Sequence, residues 1–189
     1  DRSRGLGDVY KRQKYMSPLT ATLLGKRIQE HMEEFNLDSF DIGFHGGEPL
    51  LMNPIKMQEI IDNIQREVST KIGFGLQTYG VLINDDFIEL FKKNDISISV
   101  SLDGLKESHD KNRLDHKRVE SWERVITGIQ KLQDKCPDNF VGILCVIDID
   151  SNPIETFDFL ASFGVDIDFL LPLQNYHDLP YWPNGDKTA

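Results

Sequence analysis

Segments patterned for strands and for helices alternate along most of this chain, and that alternation limits its fold more than any other feature. From Met16 the pattern is regular. Ser17-Pro18-Leu19-Thr20 reads as an N-cap followed by proline at the first helical position. The helix runs to about Phe35, with Leu19, Leu23, Ile28, Met32 and Phe35 near a 3.6-residue period. A strand is expected at about 40–44. A second helix begins near Pro54 with Ile55, Ile60, Ile61 and Ile64 on its buried side. Gly73–Thr78 reads as a strand, and Asp85 or Asp86 as the cap of a short helix through Phe91. Ile96–Val100 is a strand. Trp122–Leu132 is helical by period, with Val125, Ile126 and Ile129 inward. Phe140–Ile147 is strand-like, Pro153–Phe163 is a helix closed by Gly164, and Val165–Leu171 is the last strand.

The fold class is therefore α/β, with parallel strands joined by right-handed crossovers. A barrel and a doubly wound sheet both satisfy it. No Gly-x-Gly-x-x-Gly follows any strand, which counts against the dinucleotide-binding version. The pattern opens on a helix where such units open on a strand. At least one strand is expected upstream of Met16, and the loop-like Trp182–Asp186 ends without a closing element. The expectation is an internal fragment of a longer protein, with residues 14–189 as its core. Asp1 to about Gln13 has no period and reads as a disordered or non-native leader.

Composition narrows the function classes. With 39% hydrophobic and 28% charged residues, and no apolar run near the roughly 20 residues that span a bilayer, the chain reads as soluble, with no membrane partner. A net charge of −10 argues against a general nucleic-acid binder, though not against a small anion in a locally basic pocket. Two cysteines, Cys136 and Cys145, and no secretory leader fit a reducing cytoplasm.

Three successive strand ends carry polar or glycine-bearing residues. The first is His45-Gly46-Gly47-Glu48, where two missing Cβ atoms let a ligand lie against bare backbone beside a carboxylate. The second is Gln77-Thr78-Tyr79-Gly80. The third is Ser101-Leu102-Asp103-Gly104, whose Ser101 and Asp103 can bond hydroxyls or an amine. Asp103-Gly104 alone is also a routine turn pair. Together the three ends mark one rim of a barrel as the site. His109-Asp110-Lys111-Asn112-Arg113 follows. His109 is open to acid–base work or to a structural hydrogen bond, and Arg113 offers a planar fork for a carboxylate.

In this order, Gly46-Gly47-Glu48-Pro49, Gln77-Thr78-Tyr79-Gly80, Val100-Ser101-Leu102-Asp103-Gly104 and His109-Asp110-x-x-Arg113 resemble the radical S-adenosylmethionine enzymes. The resemblance spans roughly Met16 to Pro172, and it is narrower to the branch of sulfatase-maturating enzymes and SPASM-type peptide maturases. Asp168-Phe169-Leu170-Leu171-Pro172, with His177-Asp178 beyond, is similar to maturases that cross-link peptide side chains.

The resemblance implies a partial (β/α)6 barrel. It implies S-adenosylmethionine and a [4Fe–4S] cluster as cofactors, with reductive cleavage giving a 5′-deoxyadenosyl radical that abstracts hydrogen from a peptide or protein. An electron donor such as flavodoxin or ferredoxin is implied as a partner. The Gly46-Gly47-Glu48 backbone would bind the methionyl amino group, and Ser101 and Arg113 would hold the cofactor, Arg113 at its carboxylate. Gln77 and Asp103 would line the same rim. Tyr79 stands where the family usually has Asn and takes no role from it.

The family's Cys-x-x-x-Cys-x-x-Cys is absent from this chain. Cys145 reads as a buried small hydrophobe and Cys136 as a loop thiol, neither a cluster ligand. As given, the chain is expected not to hold the cluster, while its longer parent, with the motif just upstream of Met16, is expected to hold it. The rival expectation is a degenerate barrel that binds a peptide or partner without cluster chemistry.

Overall fold

The computed structural model describes residues 15–114 and 119–172. Asp1–Gln13, His177-Asp178 and Trp182–Asp186, each singled out in the sequence, lie outside the described residues. The elements run α1 (Pro18–Phe35), β1 (Asp41–Phe44), a 3₁₀ turn (Pro49–Leu51), α2 (Pro54–Arg66), β2 (Gly73–Thr78), α3 (Asp85–Asn94) and β3 (Ile96–Ser101). They continue with α4 (Lys106–Asn112), α5 (Trp122–Lys135), a 3₁₀ turn (Pro137–Asn139), β4 (Phe140–Val146), α6 (Pro153–Ala161) and β5 (Asp166–Leu170).

The five strands are all parallel and lie in chain order, β1-β2-β3-β4-β5. A doubly wound sheet reverses its order at a switch point; this one never does. Each crossover steps the same way, which is the winding of a (β/α) barrel arc. That settles the choice the sequence left open.

Alternate strand residues face opposite ways. One set, Phe74 and Leu76 of β2, Ile96, Ile98 and Val100 of β3, and Ile143 of β4, is buried with Ile60, Ile61 and Ile64 of α2, Phe87 and Phe91 of α3, and Ile129 and Leu132 of α5. The other set is small or polar apart from Leu144. In register it reads Gly43, Gly75, Ser97; then Gln77, Ser99, Gly142, Asp166; then Ser101, Leu144, Asp168. This second face is the inner wall of the arc.

Two helix faces differ from their expected ones. Leu19, Leu23 and Phe35 of α1 are exposed, whereas Ala21, Gly25, Ile28 and Met32 are buried. The reason is close approach: a Cβ on Gly25 would sit 2.6 Å from the Ile64 carbonyl oxygen of α2. Only the small-residue face of α1 can pack that tightly. Ile55 is 82% exposed in the first turn of α2, and Met57 takes the inward place. The α3 cap is Asn84 rather than Asp85 or Asp86; its Oδ1 accepts from the Phe87 amide at 3.0 Å. Helix α4 was not expected, because its sequence carries no apolar stripe; Ser108 and His109 are its buried residues. No helix among the described residues is long and apolar enough to cross a membrane.

Candidate active site

The C-terminal ends of β1, β2 and β3 bring their loops to one rim, as the sequence expects. Glu48 ties two of them together. Its Oε1 accepts from the Leu50 amide at 2.9 Å and the Thr78 hydroxyl at 2.8 Å, and its Oε2 accepts from the Tyr79 amide at 2.8 Å. Three donors fix this carboxylate in place and tie the β1 loop to the end of β2. The two glycines ahead of it are bare. Gly46 has φ +147°, a conformation L side chains rarely adopt, and a Cβ on Gly46 or Gly47 would meet no atom within 4 Å. The backbone at these two glycines is thus unobstructed on its Cβ side, next to the fixed Glu48 carboxylate. His45 is exposed, and its Nδ1 accepts from the Gly46 amide at 2.7 Å.

At the end of β3, Gln77 Nε2 donates to Ser101 Oγ at 2.9 Å. A hydroxyl that accepts in this way keeps its own O–H to donate to a ligand. Asp103 is only 6% exposed, and its oxygens are taken by the protein. Oδ2 accepts from Arg113 Nε, while Oδ1 accepts from Arg113 Nη2 at 2.9 Å and from the Val146 amide at 2.9 Å. Asp103 therefore joins the ends of β3 and β4 and grips one edge of the Arg113 guanidinium. A five-donor fork retains further N–H groups beyond the two that Asp103 takes. The ring of Tyr79 lies 5.7 Å from the guanidinium carbon.

His109 and Asp110 point to different partners and are no catalytic pair. His109, 1% exposed, accepts at Nδ1 from the Asp103 amide (3.2 Å). That leaves the ring proton on Nε2, which faces Ser121 Oγ at 3.0 Å; Ser121 Oγ in turn donates to the Arg113 carbonyl. The chain of bonds runs one way, from Asp103 to the backbone of Arg113. Burial pushes His109 down to about 4, with the Arg113 cation adding to the effect, so the ring is neutral near pH 7. Asp110 accepts from the Ser121 and Trp122 amides at 2.9 and 3.0 Å, anchoring the start of α5, and pairs with Lys106. Burial opposes its charge, yet these donors hold its carboxyl below the usual range.

The structure thus gathers Gly46, Gly47, Glu48, Gln77, Ser101, Asp103 and Arg113 on one rim. It also adds Ser121 and the Val146 amide, which motif reading missed, and gives Thr78 of the second strand end a partner in Glu48: these contacts reach distant segments and leave no local signal. The cysteines are elsewhere in kind. Cys136 and Cys145 are both buried free thiols, and burial, with Asp103 nearby, pushes Cys145 up to about 11. Among the described residues, no group of three or more His, Cys, Asp or Glu is placed to hold a metal ion.

The chain is 37% identical over 91 residues to a cysteine-type anaerobic sulfatase-maturating enzyme of Clostridium novyi, matching 47% of this chain and 24% of that protein. It is 31% identical over 113 residues to a serine-type anaerobic sulfatase-maturating enzyme of Bacteroides thetaiotaomicron, covering 59% and 27% respectively. Across 93% of its length it is 25% identical to the radical SAM cyclopropyl synthase TigE of Paramaledivibacter caminithermalis, of which it covers 34%. The chain therefore spans about a quarter to a third of these relatives. Its fold superposes on native anSMEcpe with bound AdoMet and Kp18Cys peptide, with a TM-score of 0.75 at 21% identity, over 84% of this chain and 43% of that one. Residues 17–160 match the Radical SAM superfamily, and the chain belongs to that family.

Proposed function

We propose that this chain forms the S-adenosylmethionine-binding arc of an oxidoreductase that modifies a peptide or protein side chain in the cytoplasm. One observation carries the reading: an open glycine backbone and a fixed guanidinium share one rim, the pair of partners that a free amino-acid head group requires. The Gly46-Gly47-Glu48 backbone would take the methionyl amino group. Ser101 and Arg113 would take the carboxylate. Gln77 and Asp103 would act through these two, since Gln77 bonds Ser101 and Asp103 bonds Arg113. Bound S-adenosylmethionine, reductively cleaved, supplies the family's hydrogen-abstracting chemistry. A peptide substrate is supported by the similarity to sulfatase-maturating enzymes and by the neighbour whose structure holds a peptide. A flavodoxin or ferredoxin is the proposed electron donor.

The residues present fit the methionyl group but not the cluster. A [4Fe–4S] centre needs thiolates at compact spacing, and this chain offers two buried thiols, one of them with its ionisation pushed to about 11.

Equilibrium dialysis of the chain against radiolabelled S-adenosylmethionine tests this reading. Saturable one-to-one binding is expected, weakened roughly tenfold or more in Arg113→Ala, because a charge-assisted contact is lost. Absence of saturable binding would contradict it. Anaerobic iron–sulfide treatment of the chain should give no stoichiometric cluster absorption.

A further inference from the structure

We infer that Tyr79 is a positioning residue that sets the Arg113 guanidinium for its ligand; the inference rests on the reading of this rim as the methionyl site. Tyr79 is the rim residue that neither the core nor the motif explains. It is 45% exposed, so packing does not account for a large aromatic ring there. Its backbone amide is held by Glu48 Oε2 at 2.8 Å, which fixes where the side chain leaves the strand. Its ring lies 5.7 Å from the Arg113 guanidinium carbon, within cation–π range.

Arg113 is thereby held by two different kinds of contact. Asp103 grips the Nε and Nη2 edge by paired hydrogen bonds. The Tyr79 ring supplies an apolar, electron-rich partner for the delocalised cation. The carboxylate fixes the fork's direction in its own plane, and the ring limits swinging of that plane. Without the ring, the fork would wander about its remaining torsions and pay more entropy on meeting a carboxylate.

Tyr79 also links the two halves of the site. One end of the residue is bonded to the Gly46–Glu48 loop through Glu48, and the other contacts Arg113. The groups that would meet the amino end and the carboxylate end of one ligand are thus connected through a single residue.

The experiment compares the wild-type chain with Tyr79→Phe and Tyr79→Asn in two measurements. In the ligand-free protein, the Arg113 Nε–H resonance is followed by NMR. It should move in Tyr79→Asn, which removes the ring current, and stay nearly in place in Tyr79→Phe. In dialysis against S-adenosylmethionine, Tyr79→Asn should bind roughly two- to fivefold more weakly, the fold-change expected of an exposed cation–π contact. Tyr79→Phe should restore wild-type affinity. A purely structural role would lower thermal stability in Tyr79→Asn without this rescue pattern. Equal affinity for wild type and Tyr79→Asn would overturn the inference. If the wild type does not bind S-adenosylmethionine at all, the reading of the site fails, and the NMR arm still decides the contact: an unmoved Arg113 signal in Tyr79→Asn would overturn it independently.

Discussion

The two faces of this sheet are built from the same strands and follow opposite rules. On the helix-covered face, Ile96, Ile98, Val100 and Leu76 are fully or nearly fully buried, each worth about 1.5–3 kcal/mol relative to exposure. On the inner face, Gly43, Gly75, Ser97, Ser99 and Gln77 occupy alternate positions of the same strands. Filling that face with Val or Ile would add burial only if something covered it. Its glycine, serine, glutamine and aspartate residues leave room and polar partners for an occupant instead. Stability is concentrated on one face and the proposed recognition on the other, and the rim where Glu48 and Asp103 cross-link neighbouring loops is where the two meet.

The largest effects should come from the covered face. Phe91→Ala, at a fully buried site of α3, should cost about 3–5 kcal/mol in denaturant unfolding. Gly128→Ala belongs with it: a Cβ there would sit 2.2 Å from the Gly80 carbonyl oxygen, where α5 meets the β2–α3 turn, so a loss of roughly 1–3 kcal/mol is expected. Normal stability in either variant would break the division between the faces.

The rim should respond at an intermediate level. Asp103→Ala strands the Arg113 cation and the Val146 amide, and a loss of about 2–4 kcal/mol is expected. His109 adds a pH signature. Its folded-state value lies near 4 against an ordinary 6.5, so the unfolded chain binds more protons between these values. Its contribution is complete above about pH 6.5 and is lost as pH falls toward 4, on the order of 2 kcal/mol. His109→Gln should flatten that part of the stability profile between pH 4 and 6.5. The smallest effect belongs to the inner face: Ser97→Ala should change stability by no more than about 0.5 kcal/mol. A larger loss would show that this face carries packing energy after all.

What the sequence made legible follows the same division. Strands whose apolar residues alternate were placed within a residue or so, because burial on one face leaves a period of two. The α1 face was misread because Leu19 and Leu23 have the right spacing and the wrong surroundings. Contact with α2 is decided by the absence of a side chain at Gly25, which hydropathy does not register. Helix α4 was missed for a related reason: His109 is buried by hydrogen bonds to Asp103 and Ser121 rather than by apolar character. The rim residues were found through ordered motifs, but Asp103 and Glu48 proved to spend their carboxylates on the protein itself. Those bonds join residues 10 and 31 positions apart, and no local pattern announces them.

The central claim is that one rim of the inner face holds the methionyl head group of S-adenosylmethionine. Amide chemical-shift mapping of the isotope-labelled chain during titration with S-adenosylmethionine tests it most directly. The account predicts saturable shifts at Gly46, Gly47, Tyr79, Ser101 and Arg113, with little change at Gly73 and Ile96 at the opposite end of the strands. Shifts centred away from that rim, or none at saturating ligand, would contradict it.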